Sequence, residues 1–258
     1  MIRREQGADW LIVSQVDHAR LAAELAQVWR HSIASSWGIS ELLFHAVLKH
    51  DDGWRAWETG LEIDPANGIP RDFTEMPMDV ASGIWTSSIE TCATEHPLAG
   101  IWVSRHFCYL AQHSLSSRAD NAADVSAARR FLAEQEQSQQ QLRSVSLQDV
   151  TAREFANLSE LGVRFLRLFD GLSLWLCCAE RSETSEIQCD GQSARFIPYA
   201  DARIVIDPYV LTKQPLTLAV PARRIAARAY ADNKDLRAAI DASPVEELSW
   251  TFTAHDLS

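Results

Sequence analysis

A long helical segment, from residue 151 to about residue 179, constrains the fold more than any other part of this sequence. Its second half, Leu166-Arg167-Leu168-Phe169-Asp170-Gly171-Leu172-Ser173-Leu174-Trp175, is apolar on most sides. Other elements must enclose a helix of this kind. The 258 residues, 47% of them hydrophobic, can supply those elements within one large core. The segment is therefore predicted to be the central helix.

Most other segments before residue 182 also have helical spacing. Helices are predicted, after an N-terminal hairpin over residues 2–13, at about 14–30, 40–51, 81–94, 97–114 and 121–142. After Glu180, short alternating runs are typical of antiparallel strands, at 194–197, 202–206, 216–220, 224–230 and 248–252, and Asp232 caps one short helix. We expect a mainly α fold: a helical bundle over residues 1–182, with a smaller antiparallel β-sheet from residues 183–258 that the hairpin joins.

Composition argues against several classes of function. The net charge is −11 and the 24 basic residues form no dense cluster, so no nucleic-acid partner is expected. No secretory signal and no apolar run long enough for a membrane span are present. The five cysteines are scattered without a CxxC pair, which predicts buried free thiols and a cytoplasmic location. Nucleotide-binding glycine loops, the GxSxG motif and the HExxH motif are absent.

Four ionisable residues lie on the apolar sides of predicted helices: His18, His50, Asp51 and Asp170. His18, for example, shares a helix face with Leu21 and Leu25. A lone carboxylate in such a place is costly unless a cation or hydrogen bonds meet it. A divalent metal would satisfy all four groups, and nitrogen and oxygen ligands without sulfur suit iron, manganese, zinc, nickel or cobalt.

The order of these residues resembles a known superfamily. An isolated His, an adjacent His-Asp pair that ends a helix, and a distant helical Asp are similar to the ligands of HD-domain metal-dependent phosphohydrolases, which include a branch of di-iron oxygenases. The segments Val16-Asp17-His18-Ala19, His50-Asp51-Asp52-Gly53-Trp54 and Gly68-Ile69-Pro70 also resemble a bacterial family of unknown function, DUF3891. The resemblance implies an HD-like helical bundle and one or two metal ions per chain.

The superfamily also suggests further site residues. Its two-metal members add His ligands between the pair and the last Asp, and His106 fits this role better than His96 or His113. Many HD proteins have an aliphatic residue, Gly and Lys after the pair, whereas this chain does not. We predict Asp52 as a catalytic proton carrier, and we predict that the substrate-binding residues are Lys49, Arg55, Arg105 and Trp54. His31 and His45 are expected to be structural or surface residues.

Three functions remain open at this stage. The first is a phosphohydrolase that activates water with its metal and acts on a small anionic, phosphorylated substrate, with the loop over residues 59–80 covering the site. The second is an HD-type di-iron oxygenase. The third is a non-catalytic helical binding module that keeps the HD frame. The exposed edges of the C-terminal sheet would allow a homodimer, and the sequence does not fix the oligomeric state.

Overall fold

A computed structural model describes residues 1–30, 39–146, 150–189 and 192–255, without the side chains of residues 145, 146, 189 and 192. His31 and the side chain of Cys189 therefore lie outside the described part of the chain. The α-helices found in these ranges are α1 (Gln15–Val28), α2 (Ser40–Lys49), α3 (Trp54–Glu58), α4 (Met78–Glu95), α5 (Pro97–Ser117), α6 (Ala122–Ser146), α7 (Ala152–Cys177) and α8 (Asn233–Ala242).

The strands belong to one curved sheet. They are β1 (Ile2–Gln6), β2 (Asp9–Val13), β3 (Ser185–Cys189), β4 (Gln192–Pro198), β5 (Arg203–Asp207), β6 (Leu216–Ala226) and β7 (Val245–Ala254). The order across the sheet is β1-β2-β6-β7-β5-β4-β3, and the sheet curves into a half-barrel. Strands β5 and β7 are parallel, whereas the other neighbours are antiparallel.

The prediction of a mainly α fold is wrong, and the chain is not all-α. The seven-stranded mixed sheet makes this an α/β fold, and the sheet is neither small nor purely antiparallel. The sequence pattern understates the sheet because five of its strands have only five to seven residues and because the strands come from both ends of the chain. The parallel pair arises because β7 inserts between β5 and β6, and the pattern of a single strand does not specify its neighbours.

Local sequence explains where most helices begin. Ser14 caps α1 by accepting from the Asp17 amide, and Asp232 caps α8 in the same manner. Thr151 and Glu154 form a capping box at the start of α7. Helix α2 differs from expectation, since its N-cap is Ile39 without a side-chain bond, and Ser40 is already helical.

Two strand assignments also differ from the sequence pattern. Strand β3, Ser185–Cys189, was not predicted because its single aliphatic residue, Ile187, gives almost no alternation. The runs at 216–220 and 224–230 are not separate strands: β6 is continuous over Leu216–Ala226. Pro221 lies within β6 and interrupts the pattern without ending the strand.

Apolar side chains form two clusters on opposite faces of the sheet. The main core packs helices α1, α2, α4, α5, α6 and α7 against one face, and includes Leu21, Trp102, Phe169 and Phe252. A smaller cluster joins Trp10 and Leu236 with Leu61 of the segment between α3 and α4. None of the helices in the described ranges is both long enough and apolar enough to cross a membrane.

Candidate metal centre

Helix α1 places His18 in the main core. The residues on its face, Leu21, Ala22 and Leu25, are fully buried, and the imidazole is itself 0% exposed. The Nδ1 atom lies 2.9 Å from Ser173 Oγ on α7, and the Nε2 atom lies 2.7 Å from Asp51 Oδ2. The side chain thus connects α7 with the end of α2.

His50 and Asp51 follow the last turn of α2, where Leu43, Ala46 and Val47 form the buried face. Both side chains are buried. The chain can pack tightly here because Gly53 has no side chain: a Cβ at this position would lie 2.1 Å from the Ile84 carbonyl oxygen of α4. The Gly53 amide also donates to Ser88 Oγ at 2.9 Å. These contacts hold the His-Asp pair against α4.

Two further helices contribute His106 and Asp170. His106 lies on α5 in a segment of buried residues, and Asp170 lies on α7, the helix predicted to be central. His106 Nε2 is 3.7 Å from Asp170 Oδ2, while its Nδ1 atom is buried and has no hydrogen-bond partner among the described residues. Asp170 is 9% exposed, more than any other member of the group.

These five side chains, which we call the His/Asp cluster, converge at one place between α1, α2, α5 and α7. His50 Nε2 lies 3.4 Å from Asp51 Oδ2 and 3.3 Å from Asp170 Oδ1. His18 Nε2 lies 3.8 Å from Asp170 Oδ1. Two overlapping groups have ligand atoms within 4.8 Å of one another, namely His18-His50-Asp51 and His50-His106-Asp170.

Hydrogen bonds fix which ring nitrogens carry protons. His50 Nδ1 lies 2.6 Å from the Val47 carbonyl oxygen, which can only accept, so Nδ1 is the donor. Ser173 uses its single proton on the Asp170 carbonyl oxygen, so its oxygen accepts from His18 Nδ1. With Nδ1 as the donor, each ring turns Nε2 towards carboxylate oxygens: His18 Nε2 lies 2.7 Å from Asp51 Oδ2, whereas His50 Nε2 is buried and forms no hydrogen bond with the described residues. A proton on Nε2 or a metal ion would satisfy each of these contacts.

The pKa values reflect this arrangement. Burial opposes charge on His50, but Asp51 and Asp170 outweigh it and raise the pKa from 6.5 to about 9. Burial lowers the pKa of His106 to about 4. The imidazoles hold the pKa of both Asp51 and Asp170 below the usual value despite their burial. The two acids are thus carboxylates at neutral pH.

This donor set could hold a metal ion. Three imidazoles and two carboxylates are nitrogen and oxygen ligands, and a divalent cation would balance the two negative charges. Two rings already donate their second N–H to a carbonyl or hydroxyl, as metal-bound histidines commonly do. The residues therefore fit a metal site by their chemistry as well as by their proximity.

The other predicted site residues lie outside the His/Asp cluster. His96 is the N-cap of α5 and accepts from the Leu98 amide. Trp54 is buried against Trp57 in the core. Asp52 accepts from Lys49 Nζ at 2.9 Å and from Arg55 Nε at 3.1 Å, so three predicted residues pair with one another.

Arg105 lies in a cleft close to the His/Asp cluster. This cleft, of about 490 Å³, lies between α5, α6 and α7. Tyr109 and Arg167 line it one helical turn from His106 and Asp170, with the Arg167 guanidinium 3.5 Å from the Tyr109 ring centre. The charged side chains on its walls are Arg105, Arg164, Arg167, Glu136 and Glu160.

Sequence reasoning missed Ser173 and Arg167 as parts of this region. Their spacing does give a signal in retrospect: Arg167 and Ser173 lie three residues before and after Asp170, on the same side of α7. His45, expected to be structural or at the surface, is half-buried and pairs with Glu95. His113 is exposed.

Comparison with protein families identifies the chain. A model of the family described as "Protein of unknown function (DUF3891)" matches residues 1–227. The chain belongs to the DUF3891 family. The match includes the whole His/Asp cluster and ends between β6 and α8. Comparisons with curated proteins and with solved structures give no match.

Proposed function

We propose that this DUF3891 protein is a metal-dependent hydrolase with an HD-type site that acts on a small anionic substrate, with phosphate esters as the first class to test. One observation carries the proposal: the Nδ1 atoms of His18 and His50 are already engaged, which leaves His18 Nε2 2.7 Å from Asp51 Oδ2 and His50 Nε2 3.3 Å from Asp170 Oδ1. Bound metal would supply Lewis-acid chemistry and water activation near neutral pH.

The chain would hold one ion, using His18, His50, Asp51, His106 and Asp170. Both ligand groups include His50, whose Nδ1 is engaged by Val47, so only one lone pair is available to them. This favours a single ion over the di-iron centre of the oxygenase alternative. Iron, manganese, zinc, nickel and cobalt all suit the donor set.

The arginine-lined cleft supports an anionic substrate. Among the described residues, neither Arg164 nor Arg167 forms an ion pair with a carboxylate, and Arg105 approaches Glu160 only at 3.8 Å. Arginine guanidinium groups bind carboxylate and phosphate oxygens in bidentate geometry. Arg167 on the wall of this cleft lies one helical turn before Asp170, the most exposed member of the His/Asp cluster.

The burial of the cluster favours a second candidate, a structural metal site without catalysis. All five residues are at most 9% exposed, and they come from α1, α5, α7 and the turn after α2. Structural metal sites are closed in this way, whereas catalytic sites keep a position open for water or substrate.

Metal analysis and hydrolysis assays on matched variants separate these possibilities. We expect about one metal ion per chain in the wild type and in Asp124→Asn, which changes a buried carboxylate outside the cluster. Asp51→Asn should lose the metal and lower hydrolysis of p-nitrophenyl phosphate and nucleotide substrates by more than about 100-fold. Bound metal without hydrolysis would select the structural site. Absence of metal from wild type reconstituted with each of the five metals would overturn both.

A further inference from the structure

Outside the His/Asp cluster, the chain buries a cation, Arg4, on β1 at one edge of the sheet. Arg4 lines a cavity whose other strands, β4, β5 and β7, come later in the sheet order. Strand alternation places Ile2, Arg4 and Gln6 on the face of β1 that contributes Ile2 to the main core. Arg4 is 5% exposed. Burying an arginine at this depth is costly unless hydrogen bonds and a negative charge compensate it.

The compensation that the chain itself provides is incomplete. Arg4 Nη1 donates to the Leu176 carbonyl oxygen at 3.0 Å, near the end of α7. Its Nε atom is buried without a hydrogen-bond partner, and no carboxylate among residues 1–30, 39–146, 150–189 and 192–255 forms an ion pair with it. The Nε/Nη2 edge of the guanidinium, which suits a bidentate oxyanion, therefore makes no hydrogen bond within those ranges.

The helix end does not replace an anion here. A helix C-terminus carries about half a negative charge, spread over several carbonyl groups. One of those carbonyls engages Nη1, and this contact explains why a cation is tolerated at this place. It leaves the Nε/Nη2 edge of Arg4 without a hydrogen-bond partner among the described residues, and the nearby Glu180 carboxylate acts on the charge without forming an ion pair.

Arg4 lines a cavity of about 180 Å³ within the curved sheet. The end of α7, the turn between β4 and β5, and β7 form its other walls. Gln6 also lines this cavity, and its Oε1 atom is buried without a hydrogen-bond partner among the described residues. The other charged residues on the walls are Arg181, Arg203, Glu180 and Asp201, of which Arg203 and Asp201 pair at 3.6 Å.

We propose that this cavity binds a small hydroxycarboxylate, independently of the His/Asp cluster. Its carboxylate would accept two hydrogen bonds from the Nε/Nη2 edge of Arg4, and its hydroxyl group would donate to Gln6 Oε1. Both side chains would turn towards the cavity on binding, because Nε and Oε1 have almost no accessible surface in the structure. The cavity is smaller than the roughly 300 Å³ at which pockets for drug-sized ligands begin. A compact acid therefore suits it better than a nucleotide or a peptide.

Calorimetry and thermal unfolding with three matched probes test the proposal. Malate carries both groups, succinate lacks the hydroxyl, and glycerol lacks the charge. The full chain is used after dialysis against metal-free buffer, so that chelation at the His/Asp cluster does not contribute. We expect malate to bind with a Kd at or below about 1 mM and to raise the Tm by a few degrees at about ten times its Kd. Succinate should bind about tenfold more weakly, and glycerol should not bind.

Variants locate the site. Arg4→Lys keeps the charge but removes the planar fork, so malate should bind at least about tenfold more weakly, whereas the same change at exposed Arg153 should have no effect. If Arg4→Lys does not fold, Gln6→Leu provides the test, because it should abolish the preference for malate over succinate. If Arg4 only caps α7, malate will not change the wild-type Tm. That result, or equal malate affinity in a folded Arg4→Lys variant, would overturn the proposal.

Discussion

At the scale of single residues, the His/Asp cluster depends on hydrogen-bond partners that are not themselves ligand candidates. Val47 and Ser173 accept the Nδ1–H protons of His50 and His18, and this choice of tautomer decides where the remaining lone pairs point. Partners of this type orient metal ligands, and their loss commonly lowers metal affinity by about 10- to 100-fold.

Ser173→Ala is therefore expected to weaken metal binding without removing any ligand. His18 Nδ1 would lose its acceptor, and the ring could rotate or change tautomer. Competition with a chromophoric chelator should show a fall in affinity of about 10- to 100-fold. Ser159→Ala is the matched control, because Ser159 is also fully buried on α7 but its hydroxyl has no partner among the described residues. Equal affinities for the two variants would contradict the assignment of Ser173.

The ligand candidates could be recognised from sequence, whereas their supports could not. His18, Asp51 and Asp170 each interrupt an apolar helix face, and that conflict is visible in a single sequence. A carbonyl group such as that of Val47 has no sequence signature, because every residue carries one. Position in the sequence can also suggest a role that the contacts do not support. Asp52 follows the His-Asp pair and was predicted to carry protons, but its carboxylate lies between Lys49 and Arg55.

At the scale of elements, the close approach of the α2–α3 turn to α4 positions the His-Asp pair. Gly53→Ala would place a Cβ 2.1 Å from the Ile84 carbonyl oxygen, and backbone on both sides would have to move. We expect urea denaturation to show a loss of about 1–3 kcal/mol, accompanied by weaker metal binding. In α4 itself, Gly83→Ala meets no atom within 4 Å and should stabilise the chain by about 0.5–1 kcal/mol. Unchanged metal affinity in Gly53→Ala would show that this contact does not position the His-Asp pair.

Elements with strong local signals were predicted well, and those defined by pairing were not. Thr151 with Glu154, and Asp232, mark helix starts by chemistry that acts within one turn. Strand β3 is held only by β4, and its own residues are mostly polar. The place of β7 between β5 and β6 depends on contacts across the whole chain, and no local pattern encodes it.

At the scale of the whole molecule, the cluster should shape how stability depends on pH when no metal is bound. The pKa of His50 is raised to about 9 by Asp51 and Asp170, with His18 and His106 also facing it. Its contribution to stability is therefore complete below pH 6.5 and is lost as the pH rises towards 9. Because the pKa of His106 is lowered to about 4, the opposite loss occurs as the pH falls from 6.5 to 4.

We therefore expect the free energy of unfolding of the metal-free chain to decline between pH 6.5 and 9. In His50→Gln this decline should be reduced, while exposed His113→Gln should follow the wild type. Added metal should remove the decline, because it replaces the proton on His50. Urea denaturation at a series of pH values measures these differences. Identical pH profiles for His50→Gln and the wild type would show that His50 does not hold the proton.

The central position of β7 has a consequence for how the chain reaches its final form during synthesis. Strands β1, β2 and β6 can pair as one ribbon, and β3, β4 and β5 as another, but only β7 connects them. Until the ribosome has released residues 245–254, the β6 edge of one ribbon and the β5 edge of the other are unpaired and could pair with a strand of another protein. The nascent protein thus has two unpaired strand edges, on β5 and on β6, until β7 emerges. Chaperone protection would matter most during this period.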